Sequence, residues 1–313
     1  MTDRSYRCAP GAWDVFACEA CGSAYLDPRP TTAAAPLAYS SYWDSRPQAA
    51  PASSLVRRAR EALRNGYLNR RYGYSLRPAS ALGPLLVPLL PRRRRIADEL
   101  VRRLHAVPGG GRLLDVGAGD GSFVSTMRRS GWRAEGIEPS QDGVRLAAER
   151  GIELHAGSFP DDLEVALASL DALTFRLVLE HLPDPVTALS AAREALRPGG
   201  TLWIATPSIE ARAHQRFGRD WILLEAPRHR VIFAPAAIRQ LLERLGFEDV
   251  AMTSSPQAQW SFRLSAAIAR GLPPFQSPPP LPRRLALQAR AADLEALVRP
   301  SYADVVVVTA HAA

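Results

Sequence analysis

A glycine-rich stretch between Gly111 and Gly121, reading G-R-L-L-D-V-G-A-G-D-G, constrains the fold of this chain more than any other feature. A short apolar run precedes the glycines Gly117, Gly119 and Gly121, and a segment of helical periodicity follows them. This order predicts a buried strand, a tight turn and a helix. Glycine lets the backbone adopt positive φ and approach a ligand closely, while the first N–H groups of the helix have no partner within it. The stretch therefore predicts a nucleotide-binding turn.

The spacing of these glycines discriminates between nucleotide ligands. Dinucleotide turns follow G-x-G-x-x-G, and the third glycine would fall at Ser122. The glycines instead run G-x-G-x-G with Asp115 two residues ahead of them, which disfavours NAD and FAD. The stretch resembles motif I of class I S-adenosylmethionine (SAM) dependent methyltransferases. That resemblance implies that Asp115 and the three glycines bind SAM.

Two later segments extend the predicted cofactor site. A second strand over 133–138 ends at Glu138, where an acid can accept hydrogen bonds from ribose hydroxyls, and the family resemblance implies this role toward SAM. In the same family the loop after the third strand, predicted over 152–156, lies along the adenine. This implies contacts from Ser158 and Phe159, although Phe159 fits the hydrophobic core equally well.

A second motif supports the same family. The string L-E-H-L-P-D-P at 179–185 is followed by A-L-R-P-G-G-T-L-W-I-A-T-P-S at 195–208, and together they resemble the conserved segment that comes after motif I in SAM methyltransferases. Within it, Asp184 before Pro185 predicts the N-cap of a helix that runs to Arg197.

Alternation of apolar runs with helical segments from Gly111 onward is typical of a parallel α/β sheet, and the resemblance implies a Rossmann-like seven-stranded methyltransferase sheet. Further strands are predicted over 170–175, 201–205, 248–253 and 304–309, and further helices after 161–162, over 237–245 and over 285–297.

The chain divides into three predicted parts. Residues 1–40 form a Cys-containing β-hairpin segment, 41–107 a basic helical cap and 108–313 the methyltransferase domain. Residues 256–300 form a proline-rich and helical insertion between the last two strands. Dense prolines predict a stiff exposed connection, and an insertion of this length often serves as a lid or partner surface.

The three cysteines all lie in the first segment. Cys18-x-x-Cys21 has the spacing of one zinc knuckle, but a structural zinc site needs four ligands and only Cys8 remains. The pattern resembles the Cys-rich N-terminal segment of some bacterial sugar and polysaccharide methyltransferases, with one ligand missing. Bound zinc and a degenerate, metal-free hairpin both stay open.

Positive charge is concentrated in the predicted cap. The chain has a net charge of +8 and no lysine, and 13 arginines lie between Arg57 and Arg103 against three acids. A basic helix with Leu55, Ala59, Ala62, Leu63 and Tyr67 on its inner face precedes a proline-broken apolar run and four consecutive arginines. Residues 55–95 could lie on an anionic membrane surface or hold a lipid-linked substrate, or the apolar side could pack on the core while the arginines are solvated.

Two absences bear on localisation. The N-terminus lacks the apolar core of a signal peptide, and no run of 18 apolar residues predicts a membrane span. We therefore expect a cytoplasmic protein, with membrane association as an open alternative.

Methyl transfer from SAM depends mostly on aligning the acceptor with the methyl group, and a hydroxyl acceptor also needs a general base. Histidine is the natural base near neutral pH. His181 lies at the carboxyl side of the fourth strand and His229 in the loop after the fifth, and of these two we favour His229. For each, a structural hydrogen-bond role is the alternative.

The sequence thus predicts a SAM-dependent methyltransferase that methylates oxygen in a small molecule or a saccharide, the latter in free or lipid-linked form. The fourth strand lacks an N-P-P-Y-like tetrapeptide and no cysteine follows Cys21, which argues against methylation of nucleobases. The alternatives are an RNA methyltransferase that uses the arginine-rich segment and a SAM-binding or partner-binding protein without catalysis.

Overall fold

The computed structural model describes residues 2–9, 11–31, 38–39, 55–276 and 278–313. In these ranges the strands are β1 (Asp14–Ala17), β2 (Ala24–Asp27), β3 (Arg112–Val116), β4 (Arg133–Glu138), β5 (His155–Ala156), β6 (Leu170–Arg176), β7 (Leu196–Pro207), β8 (Val231–Ile232), β9 (Phe247–Ser254) and β10 (Val305–Ala312). The α-helices are α1 (Leu55–Tyr72), α2 (Gly83–Leu86), α3 (Pro91–Leu100), α4 (Ser122–Arg129), α5 (Gln141–Ala148), α6 (Pro185–Ala195), α7 (Arg212–Phe217), α8 (Pro235–Arg244), α9 (Ala258–Ala269) and α10 (Arg283–Glu295).

The strands form two sheets. Seven of them lie in the order β5-β4-β3-β6-β7-β10-β9, and β1, β2 and β8 form a separate three-stranded sheet. β3 is parallel to both β4 and β6 in the larger sheet. The predicted seven-stranded Rossmann-like α/β fold is therefore confirmed.

The chain separates into two compact units. One comprises Pro47–Phe175, Ala191–Trp203 and His311–Ala313, and the other Met1–Arg46, Arg176–Ser190 and Ile204–Ala310. We call them the cofactor unit and the loop unit. The predicted three-part domain division stays a prediction.

The cofactor unit is organised by β3 and the helices around it. Leu113 and Val116 of β3 are buried, as are Val124 and Met127 of α4, so the apolar run and the helical period both point into one core. In the predicted cap, Tyr67 and Tyr72 donate hydrogen bonds of 2.8 and 2.9 Å to the carboxylate of Asp98 on α3, which joins the first and third helices.

The inner face predicted for α1 is correct only in its C-terminal part. Tyr67 is buried, whereas the side chain of Leu55 is 84% exposed and Ala59 is also exposed. The reason is that α2 packs against the second half of α1, where a Cβ on Gly83 would stand 2.1 Å from the carbonyl oxygen of Leu63. The first six residues of α1 are all exposed.

The loop unit contains the predicted N-terminal hairpin. β1 pairs antiparallel with β2, and β2 pairs with β8, so that Tyr25 lies opposite Val231. The sequence did not indicate this second pairing, which attaches the N-terminal hairpin to the segment after His229.

One predicted helix is wrong. The segment after Asp161 and Asp162 forms turns and irregular backbone up to β6. The N–H groups of Ala168 and Ser169 donate to carbonyls at the end of α6, and Ala168 has a φ of 50°, outside the right-handed helical region. Backbone donors committed in this way cannot make the i to i−4 bonds of a helix. The third strand is also shorter than predicted, since it covers His155–Ala156 alone.

The insertion holds one helix that was predicted, α10, and one that was missed, α9. α9 buries eight of its 12 residues, so this part of the insertion is packed rather than an exposed connection. Its sequence is apolar around most of its circumference and lacks the one-sided period that predicts a surface helix. Its serines are bonded inside, with Ser265 accepting from the Ile222 N–H at 3.0 Å.

No helix in the described ranges combines the length and the apolar character needed to cross a bilayer.

Candidate active site

The glycine turn after β3 has the backbone conformation that its sequence predicts. Gly117, Gly119 and Gly121 have φ values of 68°, 61° and 69°, in the left-handed region that favours glycine. A Cβ on Gly121 would also stand 2.8 Å from a methyl carbon of Ile152. The turn can therefore bring backbone close to a ligand only with glycine at these positions.

Glu138 lies at the end of β4, beside this turn. Its side chain is 7% exposed, and its carboxylate accepts hydrogen bonds from the N–H groups of Gly119 at 2.8 Å and Ser140 at 3.0 Å. These bonds fix the second glycine against the next strand. The site thus places one carboxylate at the adjoining ends of two parallel strands, where a ribose is expected.

Asp115 is buried in β3, with 1% of its surface exposed. Its carboxylate forms an ion pair with Arg102, whose Nη2 lies 3.2 Å from Oδ2, and it also accepts from the Thr174 hydroxyl at 3.0 Å. The Arg102 guanidinium stacks 3.5 Å from the Phe123 ring centroid. Asp115 therefore anchors the strand before the turn, and its predicted contact with SAM stays a prediction.

The two predicted adenine contacts differ in exposure. Ser158 is exposed, whereas Phe159 is 5% exposed and packs edge-on against Phe175 with ring centroids 6.2 Å apart. This burial matches the core alternative for Phe159.

In the loop unit, a short 3₁₀ turn at Leu179–His181 faces the loop 225–230. The Arg230 N–H donates to the Glu180 carbonyl at 2.8 Å, and His181 Nδ1 lies 3.1 Å from the Arg228 carbonyl oxygen. The two predicted base candidates are thereby brought together, with the rings of His181 and His229 4.6 Å apart between centroids.

Hydrogen bonds fix which ring nitrogen of each histidine carries the proton. His229 Nδ1 lies 2.8 Å from the Leu223 carbonyl oxygen, and His181 Nδ1 lies 3.1 Å from that of Arg228. A carbonyl only accepts, so each Nδ1 must donate, and Nε2 of each neutral ring is left with a lone pair. The Tyr39 hydroxyl, 3.0 Å from His181 Nδ1, also holds that ring.

Two carboxyl groups lie next to His229. Its Nε2 is 3.7 Å from Oε2 of Glu225 and 4.0 Å from Oε1 of Glu180. Burial raises the pKa of Glu180 to about 8 and lowers the pKa of both histidines to about 3. At neutral pH both imidazoles are therefore uncharged.

Arg228 connects the loop to the N-terminal segment. Its guanidinium is fully buried and pairs with both oxygens of Asp3 at 2.7 and 3.0 Å, with Glu225 at 3.1 Å and with the Ala38 carbonyl at 2.7 Å. The ring of Tyr6 lies 4.2 Å from the guanidinium carbon. Because the carbonyl of Arg228 binds His181, this network helps to position the His181 ring.

The cysteines form no group of three metal ligands in the described ranges, whereas Glu180, His181 and His229 do, with one ligand atom each and all within 4.8 Å of one another. Cys8 Sγ instead lies 3.2 Å from the Ala38 carbonyl oxygen, beside Arg228.

Sequence reasoning missed the side chains that surround the histidines. Asp3, Glu225 and Arg228 were not predicted as site residues, and Arg102 was counted only as part of a basic segment. The adjacent pair Glu180-His181 was the one usable signal, because it presents a carboxyl and an imidazole at the end of a strand.

A SAM-type glycine turn and an acid at the end of the next strand, in a seven-stranded α/β sheet, define the class I SAM-dependent methyltransferases. A family model described as a methyltransferase domain matches residues 91–252, just over half of the 313 residues. The chain therefore belongs to this methyltransferase-domain family.

Similar proteins include several that are described as ubiquinone biosynthesis O-methyltransferase. The Aeromonas salmonicida protein is 29% identical over 156 residues, which cover 44% of this chain and 63% of that protein. The Ralstonia nicotianae protein is 32% identical over 129 residues, 38% of this chain and 53% of that protein. The chain thus spans less than two thirds of the length of these two relatives.

Among solved structures, a SAM-dependent methyltransferase from Archaeoglobus fulgidus is 15% identical, with 78% of this chain and 97% of that chain covered and a TM-score of 0.46.

Proposed function

We propose that this chain transfers the methyl group of SAM to a hydroxyl oxygen of a small molecule. The observation that carries the choice of oxygen is the pair of neutral histidines, His181 and His229, each with its Nε2 lone pair left free by a backbone carbonyl. The O-methyltransferase description of the relatives supports the same acceptor atom.

The residues of the glycine turn fit SAM. Gly117, Gly119 and Gly121 would admit the amino acid part of the cofactor to the backbone, and Glu138 would accept from its ribose hydroxyls. Bound SAM would supply an electrophilic methyl group on a sulfonium.

The histidines would take the proton of the acceptor hydroxyl. His229 Nε2 is the better placed of the two, because the carboxyl groups of Glu225 and Glu180 lie beside it and, when ionised, would stabilise the cation formed on its ring. The low pKa of His229 in the free protein keeps the ring neutral but makes it a weak base, so proton uptake would depend on an ionised carboxyl beside it.

Methyl transfer itself is tested by incubating the purified chain with methyl-labelled SAM and fractionated host lysate. Label in a small-molecule fraction that resists the mild base that hydrolyses methyl esters, and is released as methyl iodide by hydriodic acid, supports the proposal. Label in the saccharide fraction would place the acceptor in the second predicted class, label in RNA would support the RNA methyltransferase alternative, and tight SAM binding without any labelled fraction would support a non-catalytic protein.

A Glu138→Gln variant is expected to bind SAM about 10–100-fold more weakly, because a hydrogen bond to a charged group contributes about 1.5–3 kcal/mol. Isothermal titration calorimetry measures the change. Glu135→Gln, an exposed acid on the same strand, is the matched control and should bind SAM like the parent. Equal affinity in both variants would contradict the assigned cofactor site.

The cap also supports a proposal about partners. Leu82, Leu85, Leu89 and Leu90 are each at least half exposed, and Arg92–Arg94 follow them on an exposed face. Apolar side chains next to arginines complement an anionic bilayer surface. We propose that residues 55–95 contact such a surface, which would bring the chain near an apolar acceptor.

Replacing Arg92, Arg93 and Arg94 by glutamine is expected to weaken binding to phosphatidylglycerol vesicles by about 100-fold, since each arginine near the surface contributes about 1 kcal/mol. Vesicle sedimentation measures the binding, with phosphatidylcholine vesicles as the neutral comparison. Glutamine at Arg283, Arg284 and Arg290 of α10 removes the same charge from exposed positions elsewhere and should have little effect. Unchanged binding of the first variant would refute the surface contact.

The N-terminal cysteines lie outside this proposal. Cys8, the third ligand that a zinc knuckle would require, already bonds the Ala38 carbonyl beside a buried cation.

A further inference from the structure

We infer that Glu180, His181 and His229 form a binding site for one divalent transition-metal ion. Metal binding can be measured without any acceptor, and only the metal's part in activating an acceptor hydroxyl rests on the proposed function. Because the ion would occupy the Nε2 atoms of both histidines, neither ring could act as the base in the metal-bound chain, and the ion would activate the hydroxyl instead.

The first support is an unpartnered carboxylate oxygen. Glu180 is fully buried, its Oε2 accepts from the Thr206 hydroxyl at 3.0 Å, and its Oε1 has no hydrogen-bond partner among the residues that the structure describes. A buried carboxyl oxygen without a partner is costly and needs an explanation. Because Thr206 holds the other oxygen, Oε1 is aimed at His229, whose Nε2 is 4.0 Å away.

The second support is the orientation of the two imidazoles. In metal sites a histidine ligand donates its other ring N–H to a carbonyl or carboxylate, which fixes the tautomer and turns the free nitrogen to the ion. Both rings have this arrangement, through the carbonyls of Leu223 and Arg228. The Thr206 hydroxyl donates to Glu180 in the same way, so each of the three ligand side chains is oriented by a hydrogen bond to a group outside the proposed site.

The separations allow a shared ion only if the site contracts when the ion binds. The three ligand atoms lie within 4.8 Å of one another. Two ligands of a tetrahedral zinc ion, at about 2.0–2.2 Å each, are about 3.3–3.6 Å apart. The longest separation therefore needs to shorten by about 1.2–1.5 Å on metal binding.

The donor set selects the kind of ion. Two imidazoles and one carboxylate suit zinc, iron(II), cobalt(II) or manganese(II), whereas magnesium prefers oxygen ligands. Three protein ligands leave coordination positions open, as in catalytic rather than structural sites. An ion there would act as a Lewis acid toward an acceptor oxygen and lower the pKa of its hydroxyl.

A proton is the competing explanation for the Glu180 oxygen. A protonated Glu180 could donate to His229 Nε2, but the 4.0 Å separation exceeds the reach of a hydrogen bond. The two explanations differ in their response to Glu180→Gln, because glutamine keeps a hydrogen-bond donor and removes the anionic metal ligand.

The test uses the full chain with Cys18→Ser and Cys21→Ser, so that thiolates do not bind the probe. After treatment with a chelator, Zn²⁺ is titrated by calorimetry without SAM, and Co²⁺ is followed by its visible absorption. One ion per chain, without a thiolate charge-transfer band, is expected. Glu180→Gln, His181→Ala and His229→Ala should each bind at least about tenfold more weakly.

His155→Ala, which removes an exposed histidine of the cofactor unit, is the control and should bind like the parent. Thermal unfolding checks that each variant is folded, and Glu180→Gln is nearly isosteric should the alanine variants fail to fold. Absence of stoichiometric binding, or equal affinity of parent and Glu180→Gln, would overturn the inference. Metal binding without methyl transfer to any acceptor would instead count against the proposed function alone.

Discussion

Replacing His229 by alanine is expected to lower kcat for methyl transfer by about 10²–10⁴-fold, the usual contribution of a positioned general base. His181→Ala should have an effect of similar size, because the two rings are 4.6 Å apart and both are held by the loop 225–230. Steady-state kinetics with labelled SAM, once an acceptor is identified, give kcat and KM separately.

The affinity for SAM should stay at the parental value in both variants, since the glycine turn and Glu138 lie in the cofactor unit. His155→Ala is the matched control and should keep full activity. Retention of the parental kcat in His229→Ala would remove this residue as base, and a joint loss of SAM binding would indicate a structural role.

Asp3→Ala is expected to lower the free energy of unfolding by about 3–5 kcal/mol, because it leaves the buried guanidinium of Arg228 without its main partner. Urea denaturation followed by tryptophan fluorescence measures the change. Asp142→Ala, which breaks an exposed ion pair with Arg145, is the control and should change stability by at most about 1 kcal/mol.

The contribution of Asp3 should also depend on pH. Burial opposes its charge, but the hydrogen bond and charge of Arg228 prevail and hold the pKa of Asp3 well below its ordinary value. A depressed pKa in the folded state stabilises the protein above the unfolded-state value of about 3.9, and this contribution is lost as the pH falls below it. The stability difference between parent and Asp3→Ala should therefore narrow below about pH 4. A difference that is constant with pH, or absent at pH 7, would contradict the assigned ion pair.

Prediction from sequence succeeded where local pattern determines structure. The strand, turn and helix around Gly117 and Gly121 follow from an apolar run and from glycine's access to positive φ. The start of α6 follows from Asp184, whose carboxylate accepts from the Val186 and Thr187 N–H groups. Both signals act within a few residues.

Prediction failed where a segment's surroundings override its pattern. The apolar spacing after Asp162 indicated a helix, yet the N–H groups of Ala168 and Ser169 in this segment donate to carbonyls at the end of α6. α9 was missed for the opposite reason, since a helix buried on most sides shows no amphipathic period.

The candidate active site also contains residues that local sequence patterns predict and residues that only the tertiary structure brings together. The glycine turn and Glu138 were predicted from a short motif and a fixed strand spacing. The histidines were predicted from residue type and from their place after strands, and the catalytic role of each stays a prediction. Their tautomers and their carboxyl neighbours required the structure, because Asp3 and Arg228 are 225 positions apart in the chain.

By itself the sequence determined the α/β class and the SAM-type turn, since both follow from runs of neighbouring residues whose conformational preferences are local. It also marked His181 and His229 as candidates, by residue type and by their place after strands. The tertiary structure decided what surrounds them: the pairing of Asp115 with Arg102, the burial of Arg228 against Asp3, and the gathering of Glu180, His181 and His229. These are electrostatic and hydrogen-bond partnerships between distant segments. Their strength comes from burial, which only the folded chain creates.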